Sequence, residues 1–314
     1  MRGAFLALLA IPSVATADVE RAITDHILPG YEAFEDATLA LREVGNCDPV
    51  AVEPAYHAAF DAWMGISHIQ FGPIEDQNLM LAIAFWPDPK NSTGRALGQL
   101  ARDADPIVLD PATFAEVSVA ARGLFAMERL LAEPPVEGEY LCALLQAVAV
   151  DLGRSAEELN GAWTAHAALM RNPGPENPAY RSQEEVERAL FTSLATGLEF
   201  LHDQRLGRPL GTFDRPRPLR AEARRSRRSL RNVTLSLMAL RDLSATLANA
   251  PELLAAFDRA IETAEGIDDP AFEGVARPGS RLRIEALQSQ VRQIQELTEE
   301  TFGIEAGFNA LDGD

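Results

Sequence analysis

The 314-residue chain contains one lysine, Lys90, and only two cysteines, Cys47 and Cys142. Positive charge is scarce throughout: 28 Lys and Arg stand against 47 Asp and Glu, a formal net charge of −19. A nucleic-acid binder needs a basic face to displace counterions from phosphate, so that class is disfavoured. The same deficit argues against loose attachment to an anionic membrane surface. No later apolar run approaches the about 20 residues that span a bilayer. No alternating β-branched run is long enough to build a sheet. Catalytic signatures are also missing. The chain has no H-E-x-x-H, no G-x-S-x-G, no D-x-D-x-D-G loop and no C-x-x-C. The 47% hydrophobic content nevertheless rules out wholesale disorder.

The start of the chain reads as an export signal. Met1 and Arg2 form a short positive region, and Ala4 to Ile11 (AFLALLAI) is apolar. Pro12 and Ser13 break that run, and Ala15-Thr16-Ala17 supplies a small-x-small cleavage pattern before Asp18. Residues 1–17 are thus expected to be removed, leaving a mature protein in the periplasm or cell envelope. The bland alternative is an ordinary N-terminal helix. Export changes the meaning of the cysteines. In an oxidising compartment Cys47 and Cys142 are expected to pair, closing a long loop with about 4 kcal/mol of stabilisation in the chain-entropy model. Two unrelated buried thiols are the other possibility.

Helical spacing dominates the mature chain. Val19, Ile23, Ile27, Tyr31, Phe34, Thr38 and Leu41 mark one apolar face, with Pro29 expected to kink or divide the helix. Asp48-Pro49 opens a second helix running to about Phe71. Further helices are predicted at Pro111–Ala132, Glu137–Met170, Gln183–Leu206, Arg220–Leu247, Pro251–Glu265 and Arg281–Thr301. The strongest break, residues 172–178, has three prolines and a glycine in seven residues. The expectation is an all-α chain with two helical bundles packed side by side, residues 18–172 and 179–314, read as a duplication. Segment 72–90 stands apart as an aromatic, Pro-rich connection, with Phe85 and Trp86 expected to bury against a bundle end.

Several motifs occur together in order. They are Ala62-Trp63, Phe71-Gly72-Pro73, residues 83–87 (IAFWP), residues 123–131 (GLFAMERLL), residues 205–211 (RLGRPLG), residues 225–232 (RSRRSLRN) and residues 307–313 (GFNALDG). This array resembles the imelysin family of bacterial envelope proteins. The resemblance covers nearly the whole mature chain. It implies two four-helix-bundle-like domains, an envelope location, iron-regulated expression and a metallopeptidase label resting on a G-x-H-x-x-E block. His and Glu at that spacing share a helix face, yet they supply only two ligands, and a catalytic zinc normally takes three from the protein. Here the family histidine falls on Phe125, leaving Glu128 alone. No cofactor is therefore assigned, and a divalent metal at this place is disfavoured by Phe125.

The remaining candidates are weaker. The five histidines are His26, His57, His68, His166 and His202. Glu199 and His202 make one E-x-x-H unit, where a di-iron bundle uses two. His57 and Asp61 lie four apart and can share a metal, although a solvated helix face is the commoner outcome. Residues 220–231 (RAEARRSRRSLR) hold six arginines. Read as helix, they place Arg225, Arg228 and Ser229 on one face, with Ser226 beside them. That face either neutralises neighbouring carboxylates, binds an anionic ligand through guanidinium forks, or holds Glu128 in an ion pair between the domains. The expected site is a cleft in which Glu128 meets Arg225–Ser229, with Trp63 and Phe125 as its apolar wall.

Two functions from different classes are compatible with these residues. One is a non-catalytic binding protein linked to iron or another nutrient, its partner a small ligand or an envelope protein. The other is a metallopeptidase that has kept activity through different ligands. The loss of the motif histidine favours the first. The export reading is checked by intact mass: protein recovered from the periplasm should begin at Asp18, and a mass retaining residues 1–17 overturns it.

Overall fold

The computed structural model describes residues 17–303; the export segment 1–16 and the motif at 307–313 lie outside them. Within these residues the chain is helical, and the one β element is an isolated bridge between Thr212 and Arg215. No described helix is long and apolar enough to cross a membrane.

The first helix, α1 (19–43), buries the whole apolar stripe from Val19 to Leu41. It is not divided at Pro29. Instead Ile23–Ile27 forms a π turn just upstream, and α-helical geometry resumes at Leu28. Proline lacks the N–H that would close the preceding turn and its ring crowds that carbonyl; a widened turn absorbs both effects. Helix α2 (Pro49–Ile66) starts where Asp48 accepts a hydrogen bond from the Val50 amide. It stops at Ile66, short of the expected Phe71. Short helix α3 (Leu79–Ile83) and α4 (Ser92–Asp103) flank the segment carrying Phe85 and Trp86. Both aromatics are half-buried rather than sealed under a bundle end. The Trp86–Pro87 peptide is cis.

The expected single helix over 111–132 is also broken. A turn of helix at Pro111–Phe114 is followed by a separate α5 (Gly123–Ala132). Gly123 sets the break, at φ +70°, so close to α3 that a Cβ would sit 2.3 Å from the carbonyl oxygens of Ala82 and Ile83. Only glycine combines that backbone conformation with that approach. Helix α6 (Glu139–Arg171) is the longest. Beyond it, Asn177 donates to the carbonyls of Leu169 and Asn172 and accepts from the amides of Ala179 and Tyr180, which closes the break at 172–178.

The later helices are α7 (183–210), α8 (Ser229–Leu247), α9 (Pro251–Glu265) and α10 (Pro278–Phe302). Like α1, α7 contains a π turn, Phe200–Gly207, shortly before a proline, Pro209. Helices α1, α2, α5 and α6 pack together, as do α7 to α10, and α8 packs against both α1 and α2 to join the groups. The expected helix over 220–247 begins only at Ser229. Residues 221–228 are turns, because Ala223 at φ +44° and Arg227 at φ +57° leave helical space.

Cys47 and Cys142 are bridged, their Cα atoms 5.3 Å apart across a sequence separation of 95. The bridge ties the end of α1 to the start of α6. Replacing either cysteine by serine should lower the unfolding free energy by up to about 4 kcal/mol in the chain-entropy model. The far-UV circular dichroism should be unchanged, since the helices still bury their apolar faces.

Candidate functional site

The two helix groups meet around α2, α5 and the turn 221–228. Glu128, one of the α5 residues facing inward, is only 3% exposed. Its Oε1 accepts from the Ser226 amide at 3.0 Å and from the Ser226 hydroxyl at 3.1 Å. The Tyr56 hydroxyl donates to the Ser226 oxygen at 3.4 Å. Burial pushes the Glu128 carboxyl up, and the bonds from Ser226 and the charge of Arg225 offset this only in part. Burial and the Glu128 charge together hold the Tyr56 phenol well above its usual range.

This corrects the expected partner of Glu128. Arg225 sends its Nε to Glu133 at 3.1 Å instead. Arg228, 1% exposed, donates to His57 Nδ1 at 2.9 Å and to Asp61, and its guanidinium lies 4.7 Å from the Phe60 ring centre. Arg231 also grips Asp61. His57 and Asp61 therefore do meet one group, the Arg228 guanidinium, which latches the two helix groups together. Ser229 is turned inward, its hydroxyl donating to the Glu222 carbonyl. The helical face that would have aligned Arg225, Arg228 and Ser229 does not exist, because residues 221–228 are turns. His202 bonds Asp203, Glu199 is exposed, and His166 bonds the Tyr180 hydroxyl.

Phe125 packs edge-on against Phe60 at 5.4 Å and stacks with Trp86 at 6.4 Å. It lines two cavities. The outer one, about 390 Å³, carries five arginines, Arg129, Arg208, Arg220, Arg224 and Arg225, and three carboxylates, Glu128, Glu133 and Asp88, the last accepting from the Ser92 and Thr93 amides. Arg129 and Arg225 are paired with Glu133. Among the described residues no carboxylate lies within ion-pair distance of Arg208, Arg220 or Arg224. Burial, then the Arg220 charge, lowers the Arg208 pKa; burial, then the Arg225 charge, lowers that of Arg224, with Glu133 and Glu128 opposing the shift in part. The Arg208 Nε is buried without a hydrogen-bond partner, and its guanidinium lies 5.6 Å from the Trp86 ring centre. Motif spacing does not single out Arg208, Arg220 or Arg224, although Arg208 sits inside the RLGRPLG run.

The inner cavity, about 190 Å³, is lined by Trp63, Met64, His68, Met80, Phe125 and Phe200 among others. Trp63 and Phe125 thus wall this chamber, and Phe125 divides it from the outer one. A metal at the family motif does not fit: Phe125 offers no donor atom, and one oxygen of Glu128 is already bound twice by Ser226. Among the described residues no group of three or more His, Cys, Asp and Glu side chains is placed to hold a metal ion.

Glu128 gives a stability prediction. Its native pKa lies above the unfolded value, so the folded state keeps a proton the unfolded state has lost. Stability contributed this way falls as pH rises from the ordinary glutamate range through the raised native value. Glu128→Gln should therefore unfold no lower than the parent at pH 7 and lack that part of the pH dependence. Ser226→Ala, which strips a donor from a buried carboxylate, should cost about 1–3 kcal/mol at the same pH. Thermal unfolding across pH 4–8 measures both.

Known proteins share this architecture. The sequence profile of the imelysin peptidase family matches residues 25–298. No curated protein matches. A crystal structure of an imelysin-like protein from Psychrobacter arcticum 273-4 superposes with a TM-score of 0.77 at 16% identity, covering 95% of this chain and all of the other. A putative iron-regulated protein A precursor from Parabacteroides distasonis ATCC 8503 gives 0.62 at 13% identity, with 93% and 97% covered. At such identities the structures speak for a shared fold, and the profile match over most of the length speaks for descent: the chain belongs to the imelysin family.

Proposed function

We propose that this protein is exported to the cell envelope and acts as a non-catalytic binding protein linked to the uptake of iron or another nutrient. Its ligand is a small anion taken into the outer cavity. One observation carries the reading: in a chain of net charge −19, five arginines line one cavity, and Arg208, Arg220 and Arg224 make no direct ion pair there, with Glu133 and Glu128 acting on Arg224 only at longer range. Positive charge drawn together at a cost in desolvation and mutual repulsion is stabilised by an anion, and guanidinium forks fit carboxylate or phosphate oxygens. Trp86 adds an apolar wall beside Arg208. The envelope location rests on the sequence at residues 1–17. The link to iron rests on the family and on the iron-regulated relative's name.

The two-domain division, 18–172 and 179–314, belongs to the same proposal. It is supported by the break at 172–178 and by the π turn that precedes a proline in both α1 and α7, as expected of a duplicated unit.

Calorimetry with inorganic phosphate and with citrate tests the function. We expect saturable binding of at least one anion, weakened on the order of tenfold or more when two charge-assisted contacts are removed in Arg208→Gln/Arg224→Gln. Casein should stay intact with or without chelator. Equal anion binding by parent and variant, or chelator-sensitive proteolysis, overturns the reading.

A further inference from the structure

We propose that Met64, His68 and Met80 form a site for one Cu(I) ion in the inner cavity. Those three side chains line a single chamber of about 190 Å³. Two thioethers and an imidazole are soft and borderline donors, the set that selects Cu(I) over hard divalent ions. They are also neutral donors, which suits a monovalent ion in a chamber whose two charged wall residues, Arg205 and Glu222, are paired with each other. The only carboxylate on the wall, Glu222, is already held by Arg205 at 2.8 Å and by Asn232 at 2.9 Å. The other oxygen donors on the wall, Ser67, Gln70 and Ser236, are neutral and too few for the oxygen-rich, carboxylate-bearing shell that Mg²⁺, Ca²⁺ or Mn²⁺ takes.

The histidine is prepared for the role. His68 is 6% exposed, and its Nε2 lies 2.8 Å from the Nε2 of His26, itself buried. His26 stands in the π turn of α1, a distortion frequent at functional sites. Ligation through Nδ1 requires the proton on Nε2, which would then make His68 the donor in its contact with His26. An outer partner of this kind fixes both tautomer and ring orientation. The bond to His26 links two histidines far apart in sequence and has no role in the outer cavity.

The thioethers are available too. The Met64 sulfur lies 3.9 Å from the Ser236 hydroxyl, whose proton is committed to the Asn232 carbonyl at 2.7 Å. Trp63 and Trp86, also on the wall, offer ring faces that favour a cation. Leu81 lines the same chamber and is 42% exposed, so the wall beside Met80 reaches solvent and gives the ion a way in.

The test is an anaerobic titration of the full chain with Cu(I) against bathocuproine disulfonate. One Cu(I) per chain should resist the chelator, and X-ray absorption should show sulfur and nitrogen neighbours together. Losing a ligand in Met64→Leu or Met80→Leu should weaken binding by more than the roughly 10–100-fold typical of an outer partner. Leucine conserves volume, so circular dichroism and thermal midpoint without copper serve as the folding control. His26→Gln should weaken binding less than either ligand change. Complete stripping by the chelator overturns the proposal. So does unchanged affinity in Met64→Leu/Met80→Leu, or a copper shell of nitrogen and oxygen alone. Anion binding in the outer cavity is measured separately, so the two readings fail independently.

Discussion

A carboxylate buried between two helix groups must be given hydrogen bonds, and Glu128 takes them from Ser226. That requirement shapes the interface. To present both its amide and its hydroxyl to Glu128, the chain around Ser226 abandons the helix through the left-handed residues Ala223 and Arg227. The turn in turn aims Arg224 and Arg225 at the outer cavity and Arg228 at α2, where it clasps His57 and Asp61. A regular helix here would have sent all of these residues along one stripe. The anionic centre thus has little need of a cationic partner, and the arginines are left for other work.

Much of the fold was legible because burial of apolar stripes is a local, periodic signal. The seven positions from Val19 to Leu41 are buried as their spacing demanded, Asp48-Pro49 starts a helix, and the cysteines pair. What the pattern missed had non-local causes. Residues 220–228 are rich in Ala and Arg, good helix formers, and only the demand of Glu128, some ninety residues earlier, unwinds them. The break before α5 comes from contact between Gly123 and α3 rather than from any proline.

The site was legible to a lesser degree, and for the same reason. The cost of burying a charge correctly marked Glu128 as a residue in need of a partner, but energy alone does not say whether that partner is a side chain or a backbone amide. Arg208 and Arg220 belong to segments with no shared periodicity, and the His26–His68 contact spans a separation of 42. No spacing rule joins such residues. Arg208 meets Arg220 where the end of α7 packs on residues 218–220, and His26 meets His68 where α1 packs beside the end of α2.

Phe125 gives the interface its chemistry. At the place where the family motif carries histidine, this chain puts a ring with no donor atom. The ring does more than delete a ligand. It packs on Phe60 and Trp86 and stands between an outer chamber lined by guanidinium groups and an inner one lined by aromatic rings, thioethers and His68. A polar imidazole there would draw water and charge across the partition. With phenylalanine the partition is apolar: guanidinium groups crowd the outer chamber, while thioethers, rings and His68 share the inner one with the Arg205–Glu222 pair. The substitution that removes the family's two-residue ligand pair is therefore also what allows one interface to hold two chemically different cavities.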